Sequence, residues 1–280
     1  MLFERPYPER SVRVAFITLI VIQLVLVACH VGAIIWDTTA PSDVTKIVRG
    51  FFELSKEGNA PTWFSSFLFT LIGLACGVIY LAEGNPSSGS RLKCDATDKT
   101  RPGWLLFAAL FLFLSFDETS QLHERLDWMM SGFPEGGQAA LASAEPDGDS
   151  LPFYRYLLIY VPVLGVSGLA MAWFVAHRFR HRMTALLFVL GMAVLAMKLV
   201  IESFEKWSLS MFWFDHSIYL EAVIIEMSCL FTGATIIFTS LLRHLCKLIE
   251  GSTSLRSPTM GTTFHSAGED PAKLDAKASM

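Results

Sequence analysis

Residues Gly103 to Glu118 read GWLLFAALFLFLSFDE, an apolar run that ends on two adjacent carboxylates. The 14 residues from Gly103 to Phe116 carry no charge. As an α-helix they cover about 21 Å at ~1.5 Å per residue, whereas a hydrocarbon core of ~30 Å needs about 20 residues. The helix therefore completes a crossing only by carrying Asp117 and Glu118 into the outer part of the apolar layer or its interface. Pro102 suits the first turn of such a helix, where its missing N–H costs nothing.

Five further runs have the length of a membrane span: Val14 to Trp36, Trp63 to Ala82, Tyr156 to Ala176, Met183 to Phe204 and Ser217 to Leu242. Together with the run from Gly103 to about Leu122 they hold most of the apolar residues of a 280-residue chain that is 52% hydrophobic and 17% charged. Soluble domains carry about 25% charged residues and scatter their apolar positions. Composition thus excludes a soluble enzyme, a nucleic-acid-binding domain, a disulfide scaffold and a disordered chain. A barrel is disfavoured because its strands alternate over about ten residues, and these runs are continuous. The reading is all-α: a polytopic bundle of six transmembrane helices over residues 1–250, with 251–280 a disordered cytoplasmic tail rich in Ser, Thr, Gly and Lys.

Arg5, Arg10 and Arg13 followed by Leu26-Val27-Ala28-Cys29 resemble a secretory leader with a lipoprotein processing box. The apolar run continues to Trp36, however, which makes a full span rather than the short core of a signal peptide. The five cysteines have no CxxC spacing, and three of them, Cys29, Cys76 and Cys229, lie inside apolar runs. They read as small packing residues.

Basic residues set the orientation. Arg5, Arg10 and Arg13 precede the first run; Arg91, Lys93, Lys99 and Arg101 separate the second and third; Arg178, Arg180 and Arg182 link the fourth and fifth; Arg243 and Lys247 follow the sixth. On the other side Lys46, Arg49 and Lys56 are diluted by Asp37, Asp43, Glu53 and Glu57, Arg125 stands in an acidic segment, and Lys206 is alone between the fifth and sixth runs. Both termini are expected in the cytoplasm. The Gly- and Pro-containing acidic segment Ser131 to Leu151 is expected to form an extracytoplasmic flap.

Acids then converge at one depth. In the third run Asp117, Ser120 and Glu124 share a helical face, with His123 beside it and Glu118 turned away. Lys198, Glu202 and Glu205 lie on one side of the fifth run, near its outer end. In the sixth run Glu221 is shallow, and Glu226 is about 13 Å below Ser217 on a stripe of Tyr219, Ala222, Glu226, Cys229 and Gly233. His30 stands about 26 Å above Arg13. Carboxylates at such depth must be protonated, paired or bathed in water. The blander alternative makes Glu118, Glu205, Glu221 and Lys206 solvated interface residues, and Lys198 with Glu202 a private ion pair at i,i+4.

The chemistry this layer favours first is a divalent transition-metal site, with His123, Glu124, Glu226, Asp117 and His30 as ligands. Asp117, Glu124 and Glu202 would then serve catalysis, the metal activating water to hydrolyse or oxidise a lipid-accessible substrate. Two alternatives use the same residues differently: a proton- or cation-coupled transporter or channel, and a non-catalytic subunit of a larger membrane complex. The expected partners are the lipid bilayer and either other membrane subunits or a second copy, with no nucleic acid. No GxSxG motif and no Walker or Rossmann glycine loop occurs.

The segments Pro61-Thr62-Trp63-Phe64-Ser65-Ser66, Leu114-Ser115-Phe116-Asp117-Glu118 and His123-Glu124, with Glu202 and Glu226-Met227 later, resemble an uncharacterised family of bacterial multipass inner-membrane proteins. Its signature is Leu-Ser-x-Asp-Glu followed by His-Glu. The resemblance covers most of the chain outside the tail and implies a multipass protein of the bacterial inner membrane. It carries no activity.

Overall fold

The computed structural model describes residues 7–56, 58–84, 101–122, 125, 155–179, 181–211 and 216–254. Among them are seven α-helices: α1 Tyr7–Thr39, α2 Asp43–Phe52, α3 Ala60–Glu83, α4 Pro102–Ser120, α5 Arg155–Arg178, α6 Arg182–Met211 and α7 His216–Ser254. All but α2 are long and apolar enough to cross a membrane. They correspond one for one to the six runs, mostly extended by a few residues. The seventh helix passes Glu250 and ends at Ser254, so the expected tail begins with a helical turn. The rest of the tail and the flap at 131–151 lie outside the described residues.

Helix α7 is the hub, packing along α6, α3 and α1, while α4 lies on α3 and α5 on α6. Outward-facing side chains such as Leu24, Leu81, Leu106, Val166, Leu169 and Leu186 are each more than 60% exposed. In water such a surface would be unstable; in a bilayer it is the expected lipid-facing coat.

Two interfaces fix the positions of the polar groups. Between α6 and α7 the backbones touch: a Cβ on Gly233 would stand 2.7 Å from the Leu195 amide nitrogen and 2.9 Å from the Gly191 carbonyl oxygen. Only glycine permits that approach, and Gly233 and Glu226 of the stripe do face another helix, as small residues do in membrane bundles. Between α3 and α4 hydroxyls take over. Ser66 Oγ donates to the Ser115 carbonyl (2.9 Å), and Thr70 Oγ1 lies 2.8 Å from Ser115 Oγ. Such bonds average roughly 0.6 kcal/mol in membrane proteins, and several in one seam hold α4 in a fixed register.

The short helix α2 has no counterpart in the sequence reading. Ser42 caps it, accepting from the Thr45 amide while Thr45 Oγ1 accepts from the Ser42 amide. Arg49 and Thr45 bind Asp37 at the end of α1 (3.1 and 2.9 Å), tying α2 across the top of α1. Its other face exposes Val44, Ile47 and Phe51.

Candidate functional site

The α6–α7 contact explains why a lysine and two acids meet. The helices run antiparallel, so Lys198, seven residues beyond Gly191, and Glu226, seven residues before Gly233, each stand about two turns from the crossing on the same side. Lys198 Nζ accordingly lies 3.6 Å from Glu226 Oε1 and 2.9 Å from Glu202 Oε2 on its own helix. The side chains are 22%, 13% and 10% exposed. The i,i+4 pair is thus present, but it is not private: Glu226 shares the ammonium.

Helix α4 adds its carboxylates from the third side. Asp117 is buried and Glu118 half-buried. Contrary to the helical-wheel expectation, Glu118 is not turned away from the layer. Its Oε1 accepts a 2.8 Å hydrogen bond from Ser65 Oγ of α3, and its charge acts on Lys198. The wheel placed the neighbours of α4 on the wrong side, because nothing in the periodicity says that α3 packs along it and that Lys198 of α6 faces it across the cavity. The described helix does not carry its phase on from Asp117, since α4 ends at Ser120. Gln121 is left-handed (φ 56°), and its amide bonds the Asp117 carbonyl at 2.9 Å.

His123 and Glu124 lie outside the described residues. His30 is buried, 2% exposed, with Nδ1 accepting from the Leu54 amide at 3.3 Å in the link between α2 and α3. Among the described residues no three or more His, Cys, Asp and Glu side chains are grouped as a metal would need. Asp117, Glu202 and Glu226 reach one neighbourhood, and the cation there is an ammonium. Glu221 is exposed, as its shallow position implied, and the side chains of Glu205 and Lys206 lie outside the described residues. The cysteines Cys29, Cys76, Cys229 and Cys246 are free.

Beside the charged groups runs a cavity of about 470 Å³ between α4, α5 and α6. Leu114, Leu164, Gly168, Met192 and Leu199 are among its apolar walls, and Asp117, Glu118, Lys198 and Glu202 close one end. At the opposite end α4 and α5 meet through Trp104 and Phe107, both edge-on to Phe174 at 5.1 and 5.2 Å.

Sequence reasoning missed a second polar cluster there. Glu83 of α3 accepts from Arg178 Nε (3.2 Å) and Trp104 Nε1 (3.1 Å), with His244 Nε2 at 4.0 Å and the His244 ring stacked on Phe179 at 4.2 Å. The available signal was a lone acid at the end of the second run, opposite the basic segment that contains Arg178. His177 and His181, four apart at the same end, were also passed over; His177 Nδ1 bonds the Trp173 carbonyl (2.8 Å).

Six long apolar helices and an exposed apolar surface mark a multipass helical membrane protein, with acidic side chains gathered around Lys198. The chain belongs to the family of the domain of unknown function DUF8692, which matches residues 16–245. No curated protein and no solved structure matches it.

Proposed function

We propose that this protein is a proton-translocating membrane transporter or channel, in which Asp117, Glu118, Glu202 and Glu226 around Lys198 form the proton site. The observation that supports this reading over a metalloenzyme is the position of the Lys198 ammonium between Glu202 and Glu226. A metal at that point would have to displace a charge the chain already supplies. A proton need only neutralise one carboxylate, after which the ammonium stays with the other.

Four carboxylates and one ammonium at the end of a span are costly to keep dry, and such residues within membranes commonly mark ion and substrate paths. The adjoining cavity gives a solute access to the same groups. The metal-assisted reading would draw on His123 and Glu124, outside the described residues. The acids lie toward the extracytoplasmic side if the basic segments face the cytoplasm, as in a bacterial inner membrane.

The test is a proteoliposome assay with an internal pH dye and an imposed membrane potential. Wild type is expected to move protons faster than protein-free vesicles. Glu226→Gln and Glu202→Gln should abolish the excess, whereas Glu221→Gln, at an exposed position, should retain it. Equal rates for wild type and empty vesicles, with intact protein in the membrane, would refute the reading.

A further inference from the structure

A second cavity, of about 360 Å³, lies where α1 and α6 both pack along α7. Helix α7 lines it from Ile236 to Arg243, α1 from Glu9 to Phe16, and α6 through Leu187. Both flanking helices are pinned to α7 further in. Gln23 Nε2 of α1 donates to Thr232 Oγ1 at 2.8 Å, and α6 approaches so closely that a Cβ on Gly191 would stand 3.0 Å from the Gly233 carbonyl oxygen. The groove is therefore built into the bundle rather than left between loose helix ends.

Depth and polarity change together along it. Arg13 stands one residue before the apolar run that begins at Val14, and Arg243 one residue after the run that ends at Leu242. Two guanidinium groups on antiparallel helices thus share the boundary where hydrocarbon gives way to head groups. Phe16 lies about 4.5 Å deeper than Arg13, and Ile236 about 10 Å deeper than Arg243. Phe16 and Leu187 are each 37% exposed, so the apolar half opens sideways on the surface that faces lipid.

The hydrogen-bond donors left at the polar end are cationic. Thr239 and Ser240 spend their hydroxyl protons on the Thr235 and Ile236 carbonyls of their own helix, at 2.8 and 2.7 Å. Arg243 Nη2 is 3.5 Å from Glu9 Oε1, with the side chains 36% and 67% exposed, a pair of little strength in water. Arg13 has no ion pair among the described residues. Two guanidinium groups and one carboxylate therefore leave one positive charge in the lining. A guanidinium fork matches phosphate oxygens in geometry as well as charge. A phosphodiester with one negative charge balances the surplus, whereas a zwitterionic head brings its own cation. Free phosphate would leave the apolar half of the groove unfilled; the chain of a phospholipid fills it and continues into the bilayer.

We infer that this groove binds one anionic phospholipid, its phosphodiester between Arg13 and Arg243 and the start of one acyl chain against Phe16, Leu187 and Ile236. Basic pockets between membrane helices commonly hold such heads. The site is separate from the Lys198 cluster, since Arg243 is about 25 Å along α7 from Glu226.

The experiment uses the full chain in phosphatidylcholine nanodiscs doped with phosphatidylglycerol that carries a photoreactive diazirine near the glycerol end of one chain. Matched phosphatidylcholine and phosphatidylethanolamine probes run beside it. Phosphatidylglycerol is expected to label residues 12–16 and 236–240 about fivefold more than either, the factor that one basic side chain near an anionic lipid supplies. Arg13→Gln should remove the preference and Arg13→Lys should keep most of it. Arg10→Gln, an exposed change outside the groove, should leave it intact. Leu187→Trp, which fills the apolar half, should reduce labelling by every probe, and excess inorganic phosphate should not compete.

Equal labelling by phosphatidylglycerol and phosphatidylcholine, or a preference that survives Arg13→Gln, would overturn the anionic site. Labelling by phosphatidylethanolamine equal to that by phosphatidylglycerol would show that Glu9 recruits a zwitterionic head, and would overturn it as well. Competition by inorganic phosphate would make the groove a site for a soluble anion, and undiminished labelling in Leu187→Trp would place the chain elsewhere; either result contradicts a bound phospholipid.

Discussion

Lys198 is 2.9 Å from Glu202 and 3.6 Å from Glu226, and this inequality ranks the substitutions. Lys198→Ala removes the cation from two largely buried carboxylates, a loss that typically costs about 3–5 kcal/mol. Glu226→Leu leaves Lys198 its shorter contact with Glu202, and an apolar side chain suits the packed stripe. Thermal unfolding in detergent should therefore show a large fall in Tm for Lys198→Ala and well under half that fall for Glu226→Leu. Glu226→Leu should nevertheless lose proton movement. A variant with full stability and full activity would make Glu226 dispensable. The sequence disclosed the residue types here but not their partners. Glu202 and Lys198 were legible as an i,i+4 pair because one helix sets that distance; Glu226 and Glu118 join them through helix packing, which periodicity does not encode.

At the scale of elements, the α6–α7 crossing and the end of α4 place these groups. Gly233→Leu cannot be accommodated where a Cβ already meets backbone atoms at 2.7 Å. The helices must part, at a cost of about 1–3 kcal/mol or more for overpacking, and the Lys198–Glu226 contact should open with them. A cysteine pair placed at Ala196 and Cys229 offers a readout: distances between attached spin labels should lengthen in the Gly233→Leu background, and unchanged distances would contradict the crossing described. Gln121 holds a left-handed conformation that costs a side-chain-bearing residue about 1 kcal/mol relative to glycine. Gln121→Gly is expected to raise stability by up to about 1 kcal/mol, measured as a higher Tm; a clear loss would show that the glutamine side chain matters more than its backbone. The six spans were readable from apolar length alone. Helix α2 was not, because ten residues with charges at Asp43, Lys46 and Arg49 form no long apolar run, and only its cap at Ser42 marked it.

For the whole molecule, topology decides which side of the membrane reaches the cluster. An impermeant thiol reagent applied to intact cells should label Ile47→Cys, on the exposed face of α2, and should leave Ser88→Cys, in the segment of Arg91 and Lys93, unmodified until the cells are opened. The reverse pattern would invert the orientation and place the acids at the inner surface. The two polar clusters lie at opposite ends of the bundle. Glu83 with Arg178, Trp104 and His244 joins α3, α4, α5 and α7 at one end, while the cavity between α4, α5 and α6 reaches the acids toward the other. The central claim is that these acids bind and release protons, and infrared difference spectra of the protein in bilayers, recorded as pH is stepped, test it most directly. The account predicts a protonated-carboxylic-acid band that appears within the physiological range and is lost in Glu226→Gln or Glu202→Gln; the same spectrum in wild type and both variants would mean that Lys198 and its carboxylates form a static ion pair, and would contradict it.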